Sequence, residues 1–148
     1  LDRRIAAALK MVVDTMVFAY ALLASHPRRE EALRVLEACE EVIVPDSIRA
    51  ELANTVWQYV RRTDVAVEVG VDLLRDAESL FSRVESSRVL WEQALRLAVS
   101  SSHPAYDTLF VALAELSSTK VVTYDEKLLR NFPDLCISPA DFLGSTRP

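Results

Sequence analysis

Apolar residues recur along this chain in two alternating patterns. Short unbroken runs, MVV at 11–13, VIV at 42–44, KVVT at 120–123 and LCIS at 135–138, are bounded by charge or proline, as strands covered on both faces are. Between them apolar positions fall three or four residues apart, which marks one face of a helix: Met16, Phe18, Ala19, Leu22 and Leu23, then Ala32, Leu33, Val35 and Leu36, then Ile48, Leu52, Val56 and Tyr59/Val60. The same spacing continues through Ala66, Gly70, Leu73, Ala77 and Leu80, through Leu90, Ala94 and Leu97, and along the run from Leu109 to Leu116. These patterns predict strands at 10–14, 42–44, 82–85, 120–123 and 135–138. They predict helices over 15–24, 28–39, 64–81, 104–117 and 126–131, one opened by Asp46 or Ser47, and one capped by Ser87. Strands alternating with helices imply an α/β fold with a parallel sheet between two helical layers.

Composition narrows the function. A chain of 148 residues is expected to form one domain over 11–148, with residues 1–10 as an extension of no assigned role. Gly70 and Gly144 are the only glycines, so neither a GxGxxG turn nor a GxxxxGK[ST] phosphate loop can be built. Cys39 and Cys136 lie far apart in apolar contexts and read as reduced thiols of a cytoplasmic protein. No stretch approaches membrane-spanning length, so no membrane partner is expected. A net charge of −5 argues against a general electrostatic grip on nucleic acid, though an acidic site that holds cations could still meet a phosphate.

Four carboxylates stand out. Asp14 and Asp125 each end a predicted strand, Glu51 flanks the apolar stripe of its helix, and Asp107 lies in the first turns of the 104–117 helix. Each has a local reason to be there: helix N-capping for the strand-end pair, a boundary position for Glu51, the helix dipole for Asp107. Local reasons do not explain why all four can converge at one edge of a parallel sheet, where ligands of such sheets gather. Together they would repel unless cations joined them, and oxygen donors without a nearby His or Cys suit Mg²⁺ or Mn²⁺. The matching chemistry is metal-dependent phosphodiester hydrolysis.

The segments MVVDTMVFAYALL, PDSIRAELANTVWQ, AYDTLFVALAEL and VVTYDEKLL resemble the PIN domain, most closely the VapC-type toxin ribonucleases of prokaryotes, over residues 11–143. The resemblance implies a three-layer α/β/α sandwich around about five parallel strands. It implies a catalytic and metal-binding quartet of Asp14, Glu51, Asp107 and Asp125, with Thr123 and Asn54 in support. It further implies an RNA substrate, homodimers or higher even oligomers, and an antitoxin partner of a type II pair that occupies the cleft. One departure stands out. Met16 replaces the small polar residue usual two positions after the first Asp, and a thioether cannot orient a metal-bound water. A catalytically weak PIN-like module that binds RNA or a protein is therefore the alternative.

Other residues carry lesser expectations. His26 and His103 read as loop residues, and Trp57 and Trp91 as core or dimer-interface aromatics. Arg28/Arg29, Arg61/Arg62, Lys127 and Arg130 read as surface charge able to steer RNA. Arg49, near Glu51, is the arginine expected to act at the site.

Overall fold

The computed structural model describes residues 9–146, so most of the 1–10 extension lies outside the described residues. Strand β1 is Lys10–Val13. Helices α1 (Thr15–Leu22) and α2 (Arg29–Ala38) lead to β2 (Glu41–Pro45). Helices α3 (Ile48–Thr63) and α4 (Val67–Leu80) lead to β3 (Arg83–Glu85). A 3₁₀ turn at Ser87–Val89, α5 (Trp91–Ser101) and α6 (Ala105–Leu116) carry the chain to β4 (Val121–Val122). The chain closes with α7 (Glu126–Asn131), β5 (Cys136–Ile137) and α8 (Pro139–Ser145).

All five strands are parallel, in the order β3-β2-β1-β4-β5. Chain direction then dictates the layers. The steps β1 to β2 and β2 to β3 run one way across the sheet, while β3 to β4 and β4 to β5 run the other. Right-handed crossovers therefore place α1–α4 on one face and α5–α7 on the opposite face. Val12, Val13, Ile43, Val44, Val121 and Val122 are buried between these layers with Phe18, Phe110 and Leu113. The consequence for function lies between β1 and β4. From these two neighbours the chain departs in opposite directions, which opens a crevice at their carboxyl ends.

Local chemistry departs from expectation at several points. Neither Asp46 nor Ser47 caps α3 through its side chain, because Asp46 instead accepts a hydrogen bond from the Ser87 N–H at 3.0 Å. Ser86, one residue before the expected Ser87, caps the 3₁₀ turn. Helix α8 is an additional element that the short apolar runs do not announce. Its signal is Ser138 as N-cap with Pro139 following, a pair suited to a helix start. Trp57 and Trp91 are not core residues; they are 55% and 64% exposed. Cys39 and Cys136 are free thiols.

Gly70 sits where α4 crosses α3. A methyl group there would lie 2.9 Å from Val60 Cγ2 and 3.0 Å from Val56 Cγ1, both on stiff β-branched side chains. At Gly144 in α8 a methyl would meet nothing within 4 Å. Gly70→Ala should destabilise by about 1–2 kcal/mol despite the gain in helix propensity, and Gly144→Ala should stabilise by about 0.5–1 kcal/mol. Urea unfolding midpoints of the two variants would separate packing from propensity.

Candidate active site

Asp14 follows β1 and Asp125 follows Val122 of β4 by three residues, so the two strands of the crevice each deliver one acid. Each acid spends one oxygen on its own backbone. Asp14 Oδ1 accepts from Thr15 N–H at 2.8 Å, and Asp125 Oδ1 accepts from the Lys127 and Leu128 N–H groups at 2.8 and 3.1 Å. The local explanation, N-capping, is thus true of both, and it leaves the second oxygen of each for other partners. Thr123 joins the pair. Its fully buried hydroxyl donates to Asp14 Oδ2 at 2.5 Å and accepts from Asp125 N–H at 3.0 Å.

Glu51 reaches the same pocket from the first turn of α3. Its Oε2 accepts from Thr15 Oγ1 at 2.7 Å, which ties it to the residue beside Asp14. Asp107 enters from the first turn of α6, where its Oδ2 meets His103 Nε2 at 2.8 Å. These four acids line one pocket of about 430 Å³ together with Thr15, Met16, Tyr20, Arg28, Asn54, Thr55 and Tyr124. Thr123 lies beneath it, and Asn54 stands at its wall without a described bond to the acids.

Two expectations are corrected here. The first is the absence of histidine near the acids: His103 lies in the loop between α5 and α6, as expected, but Ser102 before it takes a left-handed conformation (φ 53°) and the ring is buried beside Asp107. The Asn131 amide nitrogen lies 3.2 Å from His103 Nδ1. An amide N–H can only donate, so Nδ1 accepts and Nε2 carries the hydrogen given to Asp107. The nearest group of potential metal-ligand atoms is in fact His103, Asp107 and Asp125, within 4.8 Å of one another, so the expectation of a site without histidine fails. Because Nε2 holds a hydrogen, the imidazole orients a carboxylate rather than adding a nitrogen ligand. The buried His103 went unseen because its partner Asn131 is 28 residues away in sequence.

Arg49 is the second correction. Its guanidinium is bound to Glu78 of α4, Nε to Oε2 at 2.9 Å and a terminal nitrogen to Oε1 at 2.6 Å, and it does not line the acidic pocket. Arg28, read as surface charge, does line it.

Burial and mutual charge set the protonation of the site. Desolvation raises the Asp14 carboxyl from 3.8 to about 6, against the stabilising hydrogen bonds of Thr123 and Thr15 and reinforced by Asp107 and Asp125. Desolvation likewise raises Glu51 from 4.5 to about 7, with Asp14 and Asp107 adding repulsion and the Thr15 bond opposing it. Carboxylates held this far above their ordinary range, with oxygens turned into a shared pocket, fit a divalent cation bound by oxygen donors.

A matching family model, described as the PIN domain, covers residues 11–134. Ribonuclease VapC3 of Pyrobaculum aerophilum is 31% identical over 129 residues, spanning 86% of this chain and 98% of that protein. Among solved structures, PAE2754 from Pyrobaculum aerophilum superposes with a TM-score of 0.73 at 21% identity, covering 94% of this chain and 90% of its own. The Sarcin-Ricin loop cleaving toxin VapC20 of Mycobacterium tuberculosis gives 0.63 at 21% identity, with 79% and 91% covered. A toxin–antitoxin complex from Klebsiella pneumoniae gives 0.65 at 20% identity, with 88% and 98% covered. At these identities the structural likenesses establish the fold.

The raised carboxyls give metal-free protein a defined pH response. Asp14 and Glu51 hold protons when folded at pH values where the unfolded chain has released them. Their stabilising contribution is thus complete below about pH 4 and is lost as pH rises through about 6 and 7. In chelator, stability relative to an Asp14→Asn variant should fall across that window by on the order of 3 kcal/mol, and saturating Mn²⁺ should abolish the fall. A pH-independent difference in urea midpoints between parent and variant would contradict this.

Proposed function

Since the chain belongs to the PIN domain family, we propose that it is a divalent-metal-dependent endoribonuclease and the toxin of a type II toxin–antitoxin pair. The observation that carries this reading is the convergence of Asp14, Glu51, Asp107 and Asp125 on one pocket at the switch point of a parallel sheet. All four are assigned as ligands of Mg²⁺ or Mn²⁺, with Thr123 and Asn54 in support. When bound, such an ion would supply Lewis-acid polarisation of the phosphodiester and acidify a water for attack.

The chain's own residues hold the donors in place. Thr123 fixes Asp14, Thr15 fixes Glu51, and His103, held by Asn131, fixes Asp107. None of these three acids can swing to bulk solvent without giving up a bond in a partly buried site, so the donors are oriented before a cation arrives. Met16 lines the pocket but offers no oxygen. It supports the second reading, a weakly catalytic PIN-like binder of RNA or protein. The Thr15 hydroxyl, one residue earlier and bonded to Glu51, favours the enzyme.

The domain is proposed to span 11–148, with 1–10 preceding it. RNA is the proposed substrate, an antitoxin the proposed occupant of the cleft, and the cytoplasm the proposed compartment. No described helix is long and apolar enough to cross a membrane. Along α5, Trp91, Leu95 and Val99 present an exposed apolar stripe, which supports pairing of copies into dimers or higher even oligomers.

Asp14→Asn should lower RNA cleavage in Mn²⁺ by about 100-fold or more while the unfolding transition remains cooperative. EDTA should abolish cleavage by the parent. A variant that cleaves single-stranded RNA as fast as the parent in matched metal would sink the assignment.

A further inference from the structure

The acidic pocket has a second wall of opposite character. Tyr20 from α1, Arg28 from the turn before α2, and Tyr124 from the segment between Thr123 and Asp125 line it together. The Arg28 Cζ lies 4.7 Å from the Tyr124 ring centroid and 5.7 Å from that of Tyr20. The two tyrosines meet edge to face at 5.1 Å, and His26 stacks on Tyr20 at 4.0 Å. The seat is anchored at both ends: the Tyr124 hydroxyl donates to Glu31 Oε1 at 2.9 Å, and His26 Nδ1 accepts from Arg28 N–H at 3.1 Å.

What this seat holds is a cation without an acid. Among the described residues no carboxylate lies within ion-pair reach of the Arg28 guanidinium, whereas Arg34, Arg49 and Arg75 each have one. Among the described residues Arg28 is also the one basic side chain lining the pocket, opposite four carboxylates. Arg61 also lies over a ring, Trp57 at 4.9 Å, but outside the acidic pocket, whereas Arg28 meets two rings that themselves line it. Cation–π contact on two rings restricts the guanidinium while leaving its N–H fork available, an arrangement matched to a phosphate.

We propose that Arg28, seated on Tyr20 and Tyr124, binds a backbone phosphate of single-stranded RNA next to the scissile one. This rests on reading the pocket as a ribonuclease site and adds the contact that holds the substrate there. The electrostatic need is plain. Carboxylates that attract cations repel every phosphate flanking the cleaved one, and a rim cation on the strand's path offsets that repulsion. An acidic peptide would face the same four carboxylates with no metal-directed phosphate to offer, so RNA is the favoured occupant.

The test compares the parent with Arg28→Ala, Arg28→Lys and, as control, Arg29→Ala. The probe is a fluorescein-labelled single-stranded RNA of about ten nucleotides. Affinity is read by anisotropy in EDTA, and cleavage in Mn²⁺. Arg28→Ala should weaken binding about tenfold and raise KM by a similar factor with kcat within about threefold, as loss of a uniform binding contact requires. The slope of log affinity against log salt should flatten by about 0.7. Arg28→Lys should keep that slope but recover only part of the affinity, because it lacks the planar fork. Arg29→Ala should match the parent.

A parent that cleaves, with an Arg28→Ala variant of unchanged KM and salt slope, overturns the Arg28 assignment alone. A parent that neither binds nor cleaves RNA overturns the ribonuclease reading and this one with it. Loss of binding to a polyglutamate peptide, with RNA binding intact, would reassign Arg28 to an acidic protein partner and also overturn the proposal.

Discussion

The site depends on one buried hydroxyl. Thr123 lies at the end of the β4 segment, donates to Asp14 and accepts from the backbone of Asp125, so a single side chain spans the two strand ends that flank the crevice. The spacing between those acids is therefore set by the pairing of β1 with β4, whose register places Val13 beside Val122. That pairing lies at the centre of the core: Val12, Val13, Val121 and Val122 are fully buried between the two helical layers. Glu51 and Asp107 are then added from helices on opposite layers, each tied to the framework by one hydrogen bond.

Such an arrangement is electrostatically uphill by itself. Desolvation dominates the rise of both Asp14 and Glu51, and neighbouring carboxylates raise them further. A fold selected for stability alone would not gather unpaired acids in a pocket. The three supporting groups, Thr123, Thr15 and His103, partly offset the cost and hold the remaining oxygens toward one another. Arg28 stands apart from this set, since its partners are aromatic rings and not the acids.

Much of this was legible in the chain, for definable reasons. Four of the five strands are short apolar runs with little polar alternation, β3 (Arg83–Glu85) being a half-buried edge strand flanked by charge, and all five predicted ranges lie within a residue or two of the observed ends. The four acids were recognisable because strand ends and helix starts are tied to positions in sequence. Contacts that depend on three-dimensional neighbours were not. His103 meets Asn131 across 28 residues and Tyr124 meets Glu31 across 93, and nothing in the local pattern marks either pair. Arg49 misleads for the converse reason: it is near Glu51 in sequence but faces α4, where Glu78 binds its Nε and one terminal nitrogen. Arg28 is legible only as surface charge able to steer RNA, because its seat combines residues from three separate segments.

The cation site proposed at the β1–β4 junction is built from carboxylate oxygens. Anomalous diffraction from crystals grown with Mn²⁺ addresses it directly. A peak should stand within bonding reach of carboxylate oxygens from at least two of Asp14, Glu51, Asp107 and Asp125, with His103 Nε2 still turned to Asp107. An empty pocket at saturating Mn²⁺, or a metal bound through the His103 nitrogen, would contradict it.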